Sequence, residues 1–102
     1  MSAGFRVEID DRCASLSGEL DLARVDELLA SLQPLLDEPG DLTIDLSDLT
    51  FMDSSGLQAL LKIEHDMRGT LRLSAPRPAV LRIFEMTGTM GRFTFLPDGA
   101  AT

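Results

Sequence analysis

The apolar residues of this chain switch repeatedly between two spacings, and this alternation is the feature that most limits its possible folds. In the first strand-like segment, Phe5, Val7 and Ile9 alternate with Arg6 and Glu8, a period of two that predicts a half-buried strand. After the turn "DDR", the weaker pattern of "CASLS" predicts a second strand that pairs with the first as a hairpin. Alternation in "DLTIDLS", "TLRLS" and "RFTFL" predicts three further strands.

Helical spacing separates the later strands. Residues 22–36 place their apolar side chains on one stripe, and Asp21 is the expected N-cap of this helix. Pro34 predicts that the helix kinks or ends near Gln33, because proline lacks an amide hydrogen and disfavours helical geometry at the residue before it. The predicted stripe consists of Leu22, Val25, Leu28, Leu29 and Leu32.

Two more helices are predicted downstream. The segment "DLTFMDSSGLQALLKIEHDM" shows helical spacing and is stopped by Gly69, and "RPAVLRIFEMTG" is opened by Pro78 and stopped by Gly88. The resulting order is β-β-α-β-α-β-α-β. It predicts an α/β fold with a mixed sheet of about five strands, in which parallel strands joined by helical crossovers form the middle and the first hairpin supplies an antiparallel edge.

Length and charge limit the class of protein. A chain of 102 residues with 44 % hydrophobic content predicts a single domain, residues 1–102, with one core. The net charge of −8 argues against nucleic acid or an anionic membrane as the main partner. Cys13 is the only cysteine and is expected to be a small buried thiol. Without a signal peptide or an apolar span of about 20 residues, we expect a cytoplasmic protein with no direct membrane insertion.

The acidic residues are unevenly distributed. Residues 1–50 carry 12 Asp and Glu against 3 Lys and Arg, whereas residues 51–102 carry 5 against 6. This asymmetry is consistent with a solvated acidic face or with a docking surface for a basic partner. Met86 and Met90 also have two interpretations, core or loop packing and an exposed contact for a partner helix.

The segment "MDSSG" follows the predicted third strand, at the carboxyl edge of the sheet where functional groups gather in α/β folds. One interpretation is purely structural, because the hydroxyl of Ser54 or Ser55 can cap the helix that follows. A nucleophilic role for Ser54 needs a base, and the only histidine, His65, lies about 15 Å further along the same helix. We therefore expect His65 to be an exposed helix residue and the chain to have no catalytic residues.

A metal or cofactor is not expected. Zinc needs several Cys, His or carboxylate ligands, and this chain has one Cys and one His far apart in sequence. Asp53 beside Asp21 or Asp48 is only a weak magnesium pattern in a protein this acidic.

Phosphorylation is the third interpretation of Ser54. A phosphate adds roughly −1.5 to −2 charges at a helix N-terminus, where the helix dipole and the free amides tolerate an anion. The same charge beside Asp53 would repel a partner that docks on this loop. A binding surface can therefore be switched off without unfolding.

The sequence also resembles a known family. The segment "LTIDLSDLTFMDSSGLQALL" is similar to the central motif of STAS domains, in particular the single-domain anti-sigma-factor antagonists of bacteria. "LSGELD" at residues 16–21 and "RPAVLRIFEMTGTMGRF" at residues 77–93 match further parts of the family in order and spacing. The resemblance therefore extends over nearly the whole chain and implies a STAS-like fold.

The resemblance implies a partner-switching function. The unphosphorylated antagonist binds an anti-sigma factor with serine kinase activity and so frees a sigma factor, and phosphorylation, which a phosphatase reverses, releases the antagonist. It implies Ser54 as the phosphorylation site and Asp53, Ser54, Ser55 and Gly56, with Asp21, as partner-binding residues. The nucleotide and Mg²⁺ belong to the kinase in this scheme. Two alternatives stay open, an unphosphorylated STAS adaptor of a lipid transporter or stress-signalling complex and, more remotely, a small serine hydrolase.

Overall fold

The computed structural model describes residues 4–97, and these form a five-stranded mixed sheet with three α-helices. A short 3₁₀ turn, Leu22–Arg24, precedes the first helix, and another, Met90–Arg92, precedes the last strand. The strands are β1 Phe5–Asp10, β2 Cys13–Leu20, β3 Leu42–Met52, β4 Leu71–Ser74 and β5 Thr94–Phe95, and the helices are α1 Val25–Leu36, α2 Ser54–Asp66 and α3 Pro78–Met86. The predicted α/β order and the number of strands are confirmed.

The strands lie side by side in chain order, from β1 to β5. β1 and β2 are an antiparallel hairpin, and β2 to β5 are parallel to one another. Each crossover advances by one strand in the same direction, and such connections are right-handed, so the three helices cover the same face of the sheet. The antiparallel edge and the parallel middle that the sequence predicts are both present.

The core lies between this face and the helices. In β3, Leu42, Ile44 and Leu46 are fully buried, as their alternation predicts. At the other end of the sheet, the buried ring of Phe84 in α3 makes edge-to-face contacts with Phe93 and Phe95, with centroid distances of 5.2 Å to each. Helix α3 is thereby held against the last strand.

The first helical segment differs from its prediction at the N-terminal end. Residues 22–24 form a 3₁₀ turn of three residues per turn, so Leu22 falls out of phase with the apolar stripe and is 74 % exposed. Asp21 precedes this turn but its side chain makes no capping hydrogen bond. The prediction of Asp21 as a helix N-cap is therefore wrong. Pro34 lies inside α1, which continues to Leu36.

β3 is longer than predicted. Residues 48–52, which the sequence pattern assigns to a helix, continue the strand, because β2 pairs with β3 as far as Leu20 opposite Met52. Two register shifts in this pairing add one extra residue each to β3, so its buried side chains Leu46, Leu49 and Met52 recur at a spacing of three. A spacing of three resembles a helical pattern, which explains why the sequence pattern assigns residues 48–52 to a helix.

Two smaller expectations also change. Met86 is 75 % exposed, because Val80 and Phe84 define the buried side of α3 and Met86 lies about 200° around the helix from Phe84. Of the two interpretations of these methionines, core packing is therefore wrong for Met86, and Met90 is exposed as well. Cys13 is half-buried rather than buried, and partial burial raises the pKa of its thiol.

Candidate functional site

The candidate site is built where β2 and β3 end side by side and α2 begins. The backbone N–H of Asp53, the first residue after β3, donates to the carbonyl of Leu20 at the end of β2, with an N···O distance of 3.3 Å. This bond holds the connection that follows β2, which contains Asp21, next to the start of α2. The carboxyl edge of the sheet therefore brings together two sequence segments that are more than thirty residues apart.

Asp53 is the N-cap of α2. Its backbone is extended, its Oδ1 accepts a hydrogen bond from the N–H of Gly56 at 3.1 Å, and its carbonyl accepts the N–H of Leu57. This is the arrangement of an N-cap residue, which satisfies amides that the helix itself cannot. The prediction that Ser54 or Ser55 caps the helix is therefore wrong, since strand β3 continues to Met52 and leaves Asp53 at the capping position.

Ser54 is the first residue of α2 and is exposed. Within residues 4–97, no side chain or backbone group makes a hydrogen bond with its hydroxyl. Ser55, the next residue, is half-buried and turns toward α1. Of the two hydroxyls, the one at Ser54 is therefore the more accessible to another protein.

Gly56 lets the start of α2 approach the sheet closely. It is buried, and a Cβ atom at this position would lie 2.7 Å from Cγ of Met52 and 2.9 Å from Cγ of Leu20. Any larger residue would push the first turn of α2 away from the strand ends. The absence of a side chain at Gly56 therefore allows the close packing of the helix start against Leu20 and Met52.

Asp21 is half-buried beside this turn. Its Oδ1 is shielded from solvent and has no hydrogen-bond partner in the described part of the chain. A shielded carboxylate oxygen without a donor is unfavourable in an isolated domain. Asp21 therefore supplies negative charge at the site without a structural bond that accounts for it.

Two exposed apolar side chains lie next to the site in the sequence, and no motif marks either of them as functional. Leu22, next to Asp21, is 74 % exposed, and Phe51, near the end of β3, is 47 % exposed. The sequence pattern alone does not identify Phe51, because in a regular strand it would share a face with the buried Leu49, and the register shift between these two residues changes its face. Exposed aromatic and aliphatic side chains beside a polar loop are typical of protein-binding surfaces.

A shallow cavity of about 280 Å³ continues from Leu22 into the groove between α1 and α2. Its walls are Leu22, Val25 and Leu29 from the first helical segment and Ser55, Gln58, Ala59 and Lys62 from α2. The groove is mostly apolar, and the first turn of α1 beside it carries Asp26 and Glu27. The surface around Ser54 thus combines apolar contact area with negative charge.

The groups considered for catalysis and metal binding do not converge here. The side chain of His65 is 81 % exposed near the other end of α2, where its Nδ1 lies 3.2 Å from Asp66, and its prediction as an exposed helix residue is confirmed. Across residues 4–97, no three Asp, Glu, His or Cys side chains are grouped as metal ligands. Among the same residues, no helix is long and apolar enough to cross a membrane.

A mixed sheet with helices on one face and an exposed serine at the start of an aspartate-capped helix define a small α/β domain with a polar loop at the carboxyl edge of its sheet. The chain belongs to the STAS domain family: the family model described as "Mlab, STAS domain" matches residues 5–97. This confirms the resemblance found in the sequence.

The individual relatives are anti-sigma factor antagonists. The chain is 32 % identical over 82 residues to the anti-sigma-B factor antagonist of Bacillus subtilis, covering 78 % of this chain and 75 % of that protein. The crystal structure of an anti-sigma factor antagonist from Mycobacterium paratuberculosis matches with a TM-score of 0.78 at 29 % identity, covering 96 % and 88 % of the two chains. SpoIIAA, an anti-sigma factor antagonist solved in its unphosphorylated form, has the same fold, with a TM-score of 0.69 at 23 % identity. The match covers 96 % of this chain and 92 % of the SpoIIAA chain.

Proposed function

We propose that this protein is an anti-sigma-factor antagonist. It binds an anti-sigma factor with serine kinase activity, so that a sigma factor is freed, and the same kinase ends the interaction by phosphorylating Ser54. A phosphatase resets the protein. The observation that carries this proposal is the difference between two neighbours: Asp53 caps α2, which leaves the exposed Ser54 hydroxyl without a structural role.

The position of Ser54 suits a modification that leaves the fold intact. As the first residue of α2 it lies at the positive end of the helix dipole, near backbone amides that the helix cannot bond internally. A phosphate there gains favourable electrostatic interactions with the helix. No buried contact has to break, because the hydroxyl points away from the core residues.

The same phosphate would disrupt a docked partner. Asp53 is its direct neighbour, and Asp21 is held nearby through the bond between Asp53 and Leu20. Adding roughly −1.5 to −2 charges to this acidic patch repels acidic groups on a partner and raises the cost of removing water from the interface.

The exposed apolar residues supply the contact area that an interface needs. Leu22 follows Asp21, Phe51 lies two residues before Asp53, and both are exposed, while the groove between α1 and α2 extends from Leu22 past Ser55. Burying a large apolar side chain contributes about 1.5–3 kcal/mol before the costs of association. We therefore assign binding to this apolar surface together with Asp21, Asp53, Ser55 and Gly56, and switching to Ser54.

The proposal is tested by mapping phosphorylation sites with mass spectrometry. Purified protein is incubated with Mg-ATP and a lysate of its host, in parallel with Ser54→Ala and with Ser55→Ala as the matched control. We expect phosphate on Ser54 in the wild type and in Ser55→Ala, and none in Ser54→Ala. If Ser54 stays unmodified while a known kinase substrate in the same lysate is phosphorylated, the proposal is wrong and an unphosphorylated adaptor becomes the better description.

A further inference from the structure

Among residues 4–97, the outer edge of β1 pairs with no other strand, and its sequence has an internal symmetry. β1 pairs with β2 on one side and is the first strand of the sheet, whereas β5 at the opposite edge has only two residues and is followed by Leu96 and Pro97. Long free edges attract other strands unless they are shortened, covered or charged. Residues 5–9 of β1 read FRVEI, which has the same pattern of apolar and charged positions in both directions around Val7.

The hairpin determines which backbone groups of β1 point outward. In this antiparallel pair, Gly4 accepts the N–H of Glu19, and a two-residue turn joins Asp10 to Cys13. Hydrogen-bonded pairs alternate with unbonded pairs along an antiparallel ladder, so the even-numbered residues of β1 bond to β2. The N–H and C=O groups of Phe5, Val7 and Ile9 are therefore directed to the free edge.

The side chains of the strand are divided between the two faces of the sheet. Phe5 and Val7 pack against the edge of the core, and Ile9 in the same row is 43 % exposed. Arg6 and Glu8 lie on the opposite face, with side chains 73 % and 70 % exposed. They form an exposed ion pair in which Nη1 of Arg6 lies 3.4 Å from Oε1 of Glu8. Both groups are free to meet a partner strand without disturbing the domain.

We propose that β1 pairs with β1 of a second copy of this chain, antiparallel and centred on Val7, to form a continuous ten-stranded sheet. In this register Arg6 lies opposite Glu8 of the second copy, and the two-fold axis repeats the pair. The apolar row matches as well, since Phe5 lies opposite Ile9 and covers its exposed part.

The charges select this register over its neighbours. Outward backbone groups must face each other, so the pairing can shift only in steps that keep the odd-numbered residues opposite one another. One such step places Arg6 opposite Arg6 of the second copy. The step in the other direction places Glu8 opposite Glu8; it also sets Arg6 opposite Asp10, but it leaves Phe5 opposite the turn residue Asp11. Like charges directly opposite are unfavourable, whereas opposite charges stabilise the pair. If the charged side chains on β1 served only to prevent pairing with another strand, charges of a single sign would do so more effectively.

The proposed dimer does not depend on the function of Ser54. β2 lies between β1 and β3, so the edge is separated from the start of α2 by one strand. Because the two-fold axis is perpendicular to the sheet, the helices of both copies cover the same face and the loop that contains Ser54 remains accessible. An interface made by one short strand from each copy is small compared with typical protein–protein interfaces. We therefore expect a dimer that dissociates on dilution.

The test is sedimentation velocity over a concentration series from low micromolar to millimolar. The wild type is compared with Arg6→Glu and Glu8→Arg, whose folding is checked by circular dichroism. Each variant carries two like charges on the edge and should dimerise about tenfold more weakly or worse. An equimolar mixture of the two variants should form a heterodimer, since each acidic side chain of one variant then faces a basic side chain of the other. The double exchange Arg6→Glu/Glu8→Arg should restore the homodimer.

A second readout locates the contact. Amide exchange measured by NMR should show protection that increases with concentration at Phe5, Val7 and Ile9, while Arg6 and Glu8, already bonded to β2, change little. A wild type that stays monomeric at millimolar concentration would overturn the proposal. So would a dimer that is equally strong in both single variants, or one that protects amides elsewhere instead.

Discussion

The Oδ1 atom of Asp53 accepts a hydrogen bond from the backbone N–H of Gly56, and this bond determines which side chain of the DSSG segment is left free. Because the aspartate caps α2, neither serine is needed to start the helix. The exposed Ser54 hydroxyl is then available to another protein. Three consecutive polar residues thus have distinct environments, with Asp53 bonded to the helix, Ser54 in solvent and Ser55 at the groove.

Removing the cap should destabilise the protein. Asp53→Ala leaves the Gly56 amide without its acceptor and should lower the free energy of unfolding by about 0.5–2 kcal/mol. Asp53→Asn keeps an acceptor at the same position and should cost much less. Urea denaturation followed by circular dichroism measures both. Ser54→Ala is the matched control and should lie within about 0.5 kcal/mol of the wild type; a loss as large as that of Asp53→Ala would assign the cap to Ser54.

Gly56→Ala should also destabilise, although alanine is the better helix former by about 1 kcal/mol. The added Cβ would lie 2.7 Å from Cγ of Met52, and overpacking of this kind typically costs about 1–3 kcal/mol. The net change should therefore be a loss, seen as a lower midpoint of urea denaturation. Gly91→Ala is the control, since a Cβ at Gly91 has no neighbour within 4 Å. Equal midpoints for both variants would contradict the close packing at the start of α2.

The sequence predicts the order of strands and helices because burial imposes the same periods wherever a strand or helix covers the core. It predicts boundaries less well, and β3 shows why. Two extra residues in its pairing with β2 give Leu46, Leu49 and Met52 a spacing of three, which a pattern search assigns to a helix. The bulges depend on how β2 lies beside β3, and that information is absent from either segment alone.

The candidate site shows the same limit. Its location follows from the rule that loops at the carboxyl ends of parallel strands carry function, and this rule points to the loop that contains Ser54. The pattern assigns the cap to the wrong residue because the helix start depends on where β3 ends. It places Leu22 on the buried stripe because it does not show the 3₁₀ turn that changes the phase. Local tertiary pairing and backbone geometry, rather than residue type, decide both.

Stability should depend on pH through Asp41. The N–H of Thr70 and the guanidinium of Arg72, each 2.9 Å from an oxygen of this carboxylate, hold the pKa of Asp41 below its usual range. A carboxyl whose pKa is lowered by folding contributes stability above its unfolded pKa of about 3.9, and loses it as the pH falls through the folded value. The wild type should therefore have a higher free energy of unfolding than Asp41→Asn at neutral pH, and this difference should disappear below about pH 4.

Urea denaturation of both proteins between neutral pH and acid measures this difference. The two curves of unfolding free energy against pH should be separated by a constant amount at neutral pH and should converge in acid. A separation that stays constant throughout would show that the bonds to Thr70 and Arg72 do not favour the charged carboxylate.

The switch itself predicts that charge, rather than shape, at position 54 controls binding. Ser54→Asp should fold normally, within about 1 kcal/mol of the wild type, because the helix N-terminus favours the new charge while Asp53 opposes it. Ser54→Asn is the matched control, because asparagine has nearly the same shape as aspartate but carries no charge. Calorimetry with the purified anti-sigma factor of the host should show a loss of affinity of about tenfold or more for Ser54→Asp only. If Ser54→Asn binds as weakly as Ser54→Asp, the hydroxyl itself is a contact, and repulsion by the added charge is not how the partner is released.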